Sequence, residues 1–348
     1  MKPARIVSLI VIVLSAALIV WSLSGRMFAP RSFNFTIEGP AHENGATVWL
    51  YVSDEVLDSC VVTDSHFSFS GRLKSPCTAS IETDESVICS QLFIERGNVR
   101  IDTAGRAWGT AGNDARRRFI AAEDSLSHLY AADIELAASM IDSLTDAHIA
   151  LNRDNMCSVW LFARTAGRMD IGSRRTTLNL ISKPLRNNPL LADIRNSIER
   201  FDAVQPGRKA ISVTLPDTDG RMISIDSLLA EGRYVLLDFW ATWDGRRDRD
   251  QMLETITAPY GEEQLTVCRI SIDNSRSRWR SAVEESPAQW IQLNAVDTAT
   301  FRAAAAEAYA IDSLPMSYLI SPDGHISLRT NDIGALKTEL ERLFGEKN

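Results

Sequence analysis

No two of the five cysteines in this 348-residue chain stand as C-x-x-C, and none falls at the spacing of a zinc site. His42, His66, His128, His148 and His325 are scattered in the same way. A conventional dithiol centre and a zinc module are thereby excluded, and no metal or other cofactor is expected. Also missing are the G-x-S-x-G nucleophile elbow, the P-loop and the glycine fingerprint of a dinucleotide site. Lysine is scarce beside arginine, and the arginines are interspersed with acids instead of forming a run. With a formal net charge of −8, that speaks against nucleic acid as a partner. No internal repeat or low-complexity tract is evident.

What is present is an ordinary globular composition, 45% hydrophobic and 24% charged, with room for two or three domains. Lys2 and Arg5 precede an uncharged run from Ile6 to Leu23, and Arg26 follows. A basic n-region before an apolar h-region predicts export. The run approaches the roughly 20 residues that span a bilayer, so residues 1–24 read as a retained membrane anchor. Ser22 and Ser24 would suit cleavage, which is the alternative. No cysteine lies near enough to carry a lipid. The expected location is the periplasmic side of the cell envelope, with the membrane as one partner. In that oxidising compartment two of Cys60, Cys77 and Cys89 could pair, leaving an odd thiol over; small buried hydrophobes are the other reading of each.

Residues 33–105 read as β-rich. Phe33, Phe35 and Ile37 alternate with polar residues and stop at Gly39-Pro40. Thr47–Val52, Cys60–Thr63, His66–Ser70, Leu92–Glu95 and Val99–Ile101 follow as short strands, which implies a small all-β sandwich-like domain. Residues 106–205 read as helical. Phe119, Leu126, Leu129, Tyr130, Ile134, Ala137, Ile141 and Leu144 keep three- and four-residue spacing, predicting one long amphipathic helix. Further apolar stretches fall at Val159–Ala163 and Leu190–Phe201. From residue 207 to 348 strand and helix signals alternate, with near-continuous apolar runs at Tyr234–Trp240 and Leu265–Ile272 and an amphipathic helix over Ile333–Phe344. This predicts an α/β sheet with helices on both faces.

Within that last region stand Gly207 and Ala210 leading into Val213 and Leu215, then "YVLLDFWATW", "RISID", Trp290 and "YAIDSLPMSYLISPDGHI". In this order they resemble the envelope thioredoxin-like proteins of the ResA/TlpA type, related to the AhpC/TSA peroxiredoxins. Residues 33–105, through "FTIEG", "DSCVVTDSHFSFSG" and "FIERG", resemble the β-rich module that often precedes such domains. The resemblance implies a thioredoxin-like C-terminal domain and thiol–disulfide oxidoreductase ancestry. It also implies where the chemistry should sit, and there the chain departs from the pattern. Asp244 occupies the place of the attacking cysteine, Arg247 that of the resolving cysteine, and Arg246 that of the intervening proline; Met252 stands where the family commonly has a helix-kinking proline. A thiolate is the nucleophile in disulfide exchange, and neither replacement can serve.

Asp244 reads as an N-cap carboxylate on the following helix, with Asp248 and Asp250 offsetting Arg246 and Arg247, in preference to a new catalytic centre. Asp238 matches the family's buried aspartate and becomes either a relic or one half of a carboxylate pair with Asp244. Pro315 matches the family's cis-proline, with the Leu314 backbone before it free to pair with an extended peptide. Trp240 is expected in the core and Trp243 beside the groove. The expectation is therefore a redox-inactive, non-enzymatic module that binds a protein or peptide partner through Trp243, Asp244, Gly245, Leu314 and Pro315. The alternatives are an envelope oxidoreductase using other cysteines and a structural scaffold; a homodimer is possible in any of them. Cys157 and Cys268, in apolar surroundings, are poor relocated nucleophiles.

Overall fold

A computed structural model describes residues 32–41, 43–244, 247–286, 290–296 and 303–345, with Arg247 and Asp248 described by their backbone alone. The predicted anchor, residues 1–24, and the site positions Gly245 and Arg246 lie outside the described residues. The chain divides into two units, Met1–Ile194 and Arg195–Asn348.

The first unit begins with eight strands, β1 (Phe33–Pro40), β2 (Thr47–Val52), β3 (Glu55–Val61), β4 (His66–Leu73), β5 (Cys77–Thr83), β6 (Val87–Ile94), β7 (Gly97–Ile101) and β8 (Ala107–Trp108). They form two sheets, ordered β4-β1-β7-β8 and β3-β2-β5-β6. Alternation drives the pairing of faces: Phe33, Phe35 and Ile37 of β1 turn inward with Phe67 and Phe69 of β4. They meet Val48, Leu50, Ala79, Ile81 and Leu92 from the other sheet in one core. β5 escapes the sequence reading because only Ala79 and Ile81 mark its buried face.

All five cysteines are free, and the register explains why Cys60, Cys77 and Cys89 do not pair. Cys77 opposes Ile94 while Cys89 opposes Ile81, four residues along the same ladder and about 13 Å apart. Cys60 opposes Val48, which in turn opposes Thr83, so at least two strand spacings, about 10 Å, separate it from either candidate. A disulfide needs Cα atoms within about 7 Å. The predicted pairing is excluded.

The predicted single long helix is two helices, α1 (Ala111–Leu129) and α2 (Ile134–Leu151). Apolar spacing runs unbroken through the break because the turn residues happen to continue it. The chain reverses where Asp133 leaves helical geometry and its carboxylate caps Leu136 N–H at 3.0 Å. α3 (Met156–Thr165) packs Trp160 against Phe93 of β6 and Phe119 of α1, tying the helices to the sandwich. Buried Glu95 accepts from the backbone N–H of Gly112 and of Met156, at the first turns of α1 and α3, where a carboxylate suits the helix dipole. α4 (Ile171–Leu180), α5 (Lys183–Arg186) and α6 (Ala192–Ala203) follow, and the division between units falls within α6.

The second unit opens with a two-stranded ladder, β9 (Thr214–Pro216) and β10 (Met222–Ser224), and the short α7 (Ile225–Leu229). Then come β11 (Tyr234–Trp240), α8 (Arg247–Thr257), β12 (Leu265–Ser271), α9 (Arg276–Glu284), β13 (Ile291–Asn294), α10 (Ala304–Ala308), β14 (Met316–Ile320), β15 (Ile326–Thr330) and α11 (Ile333–Phe344). The sheet order is β13-β12-β11-β14-β15. β11, β12 and β13 are parallel; β14 and β15 run antiparallel. Leu236, Val267 and Leu319 pack against Leu253 of α8 and Leu336 and Leu340 of α11 on one face. Leu237, Phe239, Cys268 and Tyr318 pack against Ile225, Leu228, Ala305 and Tyr309 on the other. The central strand is apolar because both its faces are covered. α9 and β13 were not legible in the sequence.

Candidate functional site

The site positions gather at one end of this sheet. β11 delivers Trp240, 7% exposed, and the chain leaves through buried Ala241. Thr242 is pinned by Asp273, which accepts from its backbone N–H at 2.9 Å and from its hydroxyl at 2.7 Å. Ser271 supports the same carboxylate at 2.8 Å. Trp243, immediately after this clamp, is 65% exposed. Asp244 is half-buried, and its N–H donates to Ala241 C=O at 3.2 Å. Arg247 opens α8. On the neighbouring strand, β14 begins with Met316 opposite Phe239, so Pro315 and Leu314 precede it at the same end of the sheet at which β11 finishes. The Leu314–Pro315 peptide is cis. Pro315 is buried and Leu314 half-buried.

Directly beneath α8 the sheet carries a row of polar side chains in register: Gln292, Arg269, Asp238, Ser317 and Thr330. Asp238 is wholly buried, and its Oδ1 accepts from Arg249 Nη2 at 2.8 Å and from Ser317 Oγ at 2.7 Å. Its Oδ2 lies 3.3 Å from Arg269 Nε, an ion pair whose angle falls outside hydrogen-bonding geometry. Arg269 in turn reaches Asp250 Oδ1 at 2.7 Å. Its guanidinium lies 4.4 Å from the ring centre of Trp240 and 5.5 Å from that of Trp290. Two carboxylates and two guanidiniums thus close a neutral network between α8 and the sheet. Asp238 is not half of a pair with Asp244; its oxygens belong to Arg249, Arg269 and Ser317. Asp250 turns to Arg269; Arg246 and the Arg247 side chain, which the sequence reading set against it, lie outside the described residues.

Sequence reading missed Arg249 and Arg269. For Arg269 a signal existed. Asp238 in "YVLLDFW" and Arg269 in "LTVCRIS" are lone charges in two buried strands, and buried charges require partners. Arg249 lacked such a signal, standing in an exposed-looking charged run.

The thiols are elsewhere. Cys60, Cys77, Cys89 and Cys157 belong to the first unit, and Cys268 sits wholly buried in β12. Burial pushes the Cys157 thiol up to about 12 and Cys77 to about 11. It raises Cys268 further still, and it raises Cys89 and Cys60 against the opposing pull of a backbone hydrogen bond. Among the described residues no group of histidines, cysteines and acids could hold a metal ion.

A central β–α–β–α–β run of parallel strands, closed by an antiparallel pair and a final helix, decides the architecture. The second unit is thioredoxin-like. Solved structures similar to the chain include a thiol-disulfide oxidoreductase from Bacteroides fragilis NCTC 9343, at 29% identity, covering 39% of this chain and 100% of that one, with a TM-score of 0.37. The C-terminal domain of a putative thiol-disulfide oxidoreductase from Bacteroides thetaiotaomicron matches at 24% identity, covering 40% and 95%, with a TM-score of 0.36. A putative thiol:disulfide interchange protein DsbE from Chlorobium tepidum matches at 24%, covering 40% and 94%, with a TM-score of 0.34. No family model matches the chain, and no curated protein does. Among the described residues no helix is long and apolar enough to cross a membrane; the Ile6–Leu23 run lies outside them.

Proposed function

We propose that this chain is an exported, membrane-anchored thioredoxin-like protein that holds an extended segment of a partner protein without exchanging disulfides. The observation that carries the reading is the state of the thiols. None of the five lies at the start of α8, and burial moves every one of them away from the thiolate form. The similar solved proteins are described as thiol-disulfide oxidoreductases, and the same activity here would need a reactive thiol. Binding is supported by what remains at the sheet end. Trp243 offers a large exposed aromatic face just after β11, at the end of the sheet where β14 starts. Among the described residues the Leu314 backbone N–H and C=O have no hydrogen-bond partner, which leaves both available to an added strand. Partner choice, location and anchoring extend from the sequence reading of residues 1–24.

Two measurements test this together. Purified protein is expected to leave insulin disulfides intact, and Trp243→Ala is expected to weaken capture of an extended peptide selected on the wild type by about tenfold or more. Insulin turnover that survives Asp244→Ala and disappears in Cys157→Ser or Cys268→Ser would establish the oxidoreductase reading instead. Unchanged capture by Trp243→Ala would remove this end of the sheet from the binding account.

A further inference from the structure

β1 enters the sandwich with an arginine on each side. Asn34 pairs with Arg72 of β4, and Phe35 pairs with Gly97 of β7, which brings Arg96 beside Asn34. With Ser32 and Phe33 the two arginines line a recess of about 330 Å³. Arg72 Nε donates to Ser32 Oγ. Lys74 follows at the end of β4. Arg72, Lys74 and Arg96 are all exposed, and among the described residues none of them has an acidic partner. The acid next in sequence, Glu95, is buried and spends its carboxylate on the Gly112 and Met156 N–H groups. In sequence, the residues from 24 to 31 that precede Ser32 include Arg26 and Arg31 and no acid. In a chain of net charge −8, this is a local concentration of uncompensated positive charge.

Residues 24–32 span at most about 30 Å when extended. With Ile6–Leu23 in a bilayer, this end of the sandwich therefore stays within that distance of the lipid surface. We infer that it rests on an anionic bilayer, with a lipid phosphate seated between Arg72 and Arg96. Guanidinium forks match phosphate oxygens in shape and charge, and attraction to an anionic leaflet fades within a Debye length. The inference rests on the anchoring reading and adds to it an orientation and a ligand class.

The test uses the full chain in bilayer nanodiscs of neutral phosphatidylcholine and of the same lipid mixed with phosphatidylglycerol. Phenylglyoxal modification of each arginine is followed by mass spectrometry. Arg72 and Arg96 are expected to react about tenfold more slowly on the anionic discs, while Arg106, beyond the opposite end of β7, reacts equally on both. The difference is expected to vanish in about 0.5 M salt, and at Arg96 in the Arg72→Ser variant. Equal rates on the two discs in a chain that co-purifies with both would overturn the inference and leave the anchoring intact. Failure to co-purify with either disc would overturn both. Protection reproduced on neutral discs by inorganic phosphate alone would make the recess a free-anion site and refute the bilayer contact.

Discussion

Asp238 and Arg269 face one another across two central strands with Arg249 closing over them from α8. Such charges are stable together and costly apart, because removing one partner leaves the rest uncompensated in a dry interior. Arg269→Met is expected to destabilise the protein by about 3–5 kcal/mol in urea unfolding. Replacing Asp238, Arg249 and Arg269 together by Leu, Met and Met should recover most of that loss, since apolar groups of similar volume carry no desolvation cost. The buried thiols give a second residue-scale expectation. Cys77 and Cys157 titrate from an ordinary 9.0 to about 11 and about 12 in the fold. Below 9.0 both states hold the proton and nothing changes. Above it the unfolded chain releases protons that the native state retains, so stability falls as pH rises through that window. The urea midpoint is expected to drop between about pH 9 and about pH 11, and to drop less in a Cys77→Ala/Cys157→Ala variant.

At the level of elements, helix starts and stops depended on single side chains that a periodic pattern does not weigh. The turn between α1 and α2 exists because Asp133 caps Leu136, although apolar residues continue through it. Asp133→Ala is expected to cost about 1 kcal/mol, read as a lower urea midpoint with an unchanged slope. Tyr234–Trp240 and Ile333–Phe344 were legible to the residue, the first as a continuous apolar run and the second as a clean amphipathic stripe. α9 was not, because Trp279 is the lone buried residue in a charged nine-residue helix. β13 has four residues, too few for a period to show.

All five thiols are free, four in the first unit and one in the core of the second. Protein recovered from an oxidising compartment and alkylated after unfolding without reductant is therefore expected to carry five labels. Three labels would mean that a disulfide forms against the observed register. The sandwich, the helices and the thioredoxin-like sheet were each foreshadowed, because burial on one or two faces writes itself into a chain as periods of two, of three to four, or of none. Of the candidate groove, the pairing of β11 with β14 places the end of one strand and the start of the other at the same end of the sheet, and the Leu314–Pro315 peptide is cis.

By itself the sequence determined that no sulfur stands at the start of α8 and that the two central strands β11 and β12 are buried, since residue identity and local periodicity decide both. Only the tertiary structure decided what Asp238 is for. Its partners come from β12, β14 and α8, and strand register and helix docking, which bring them within 3.3 Å, leave no trace in local sequence. The same holds for Cys60, Cys77 and Cys89, which one shift of ladder alignment would have placed differently.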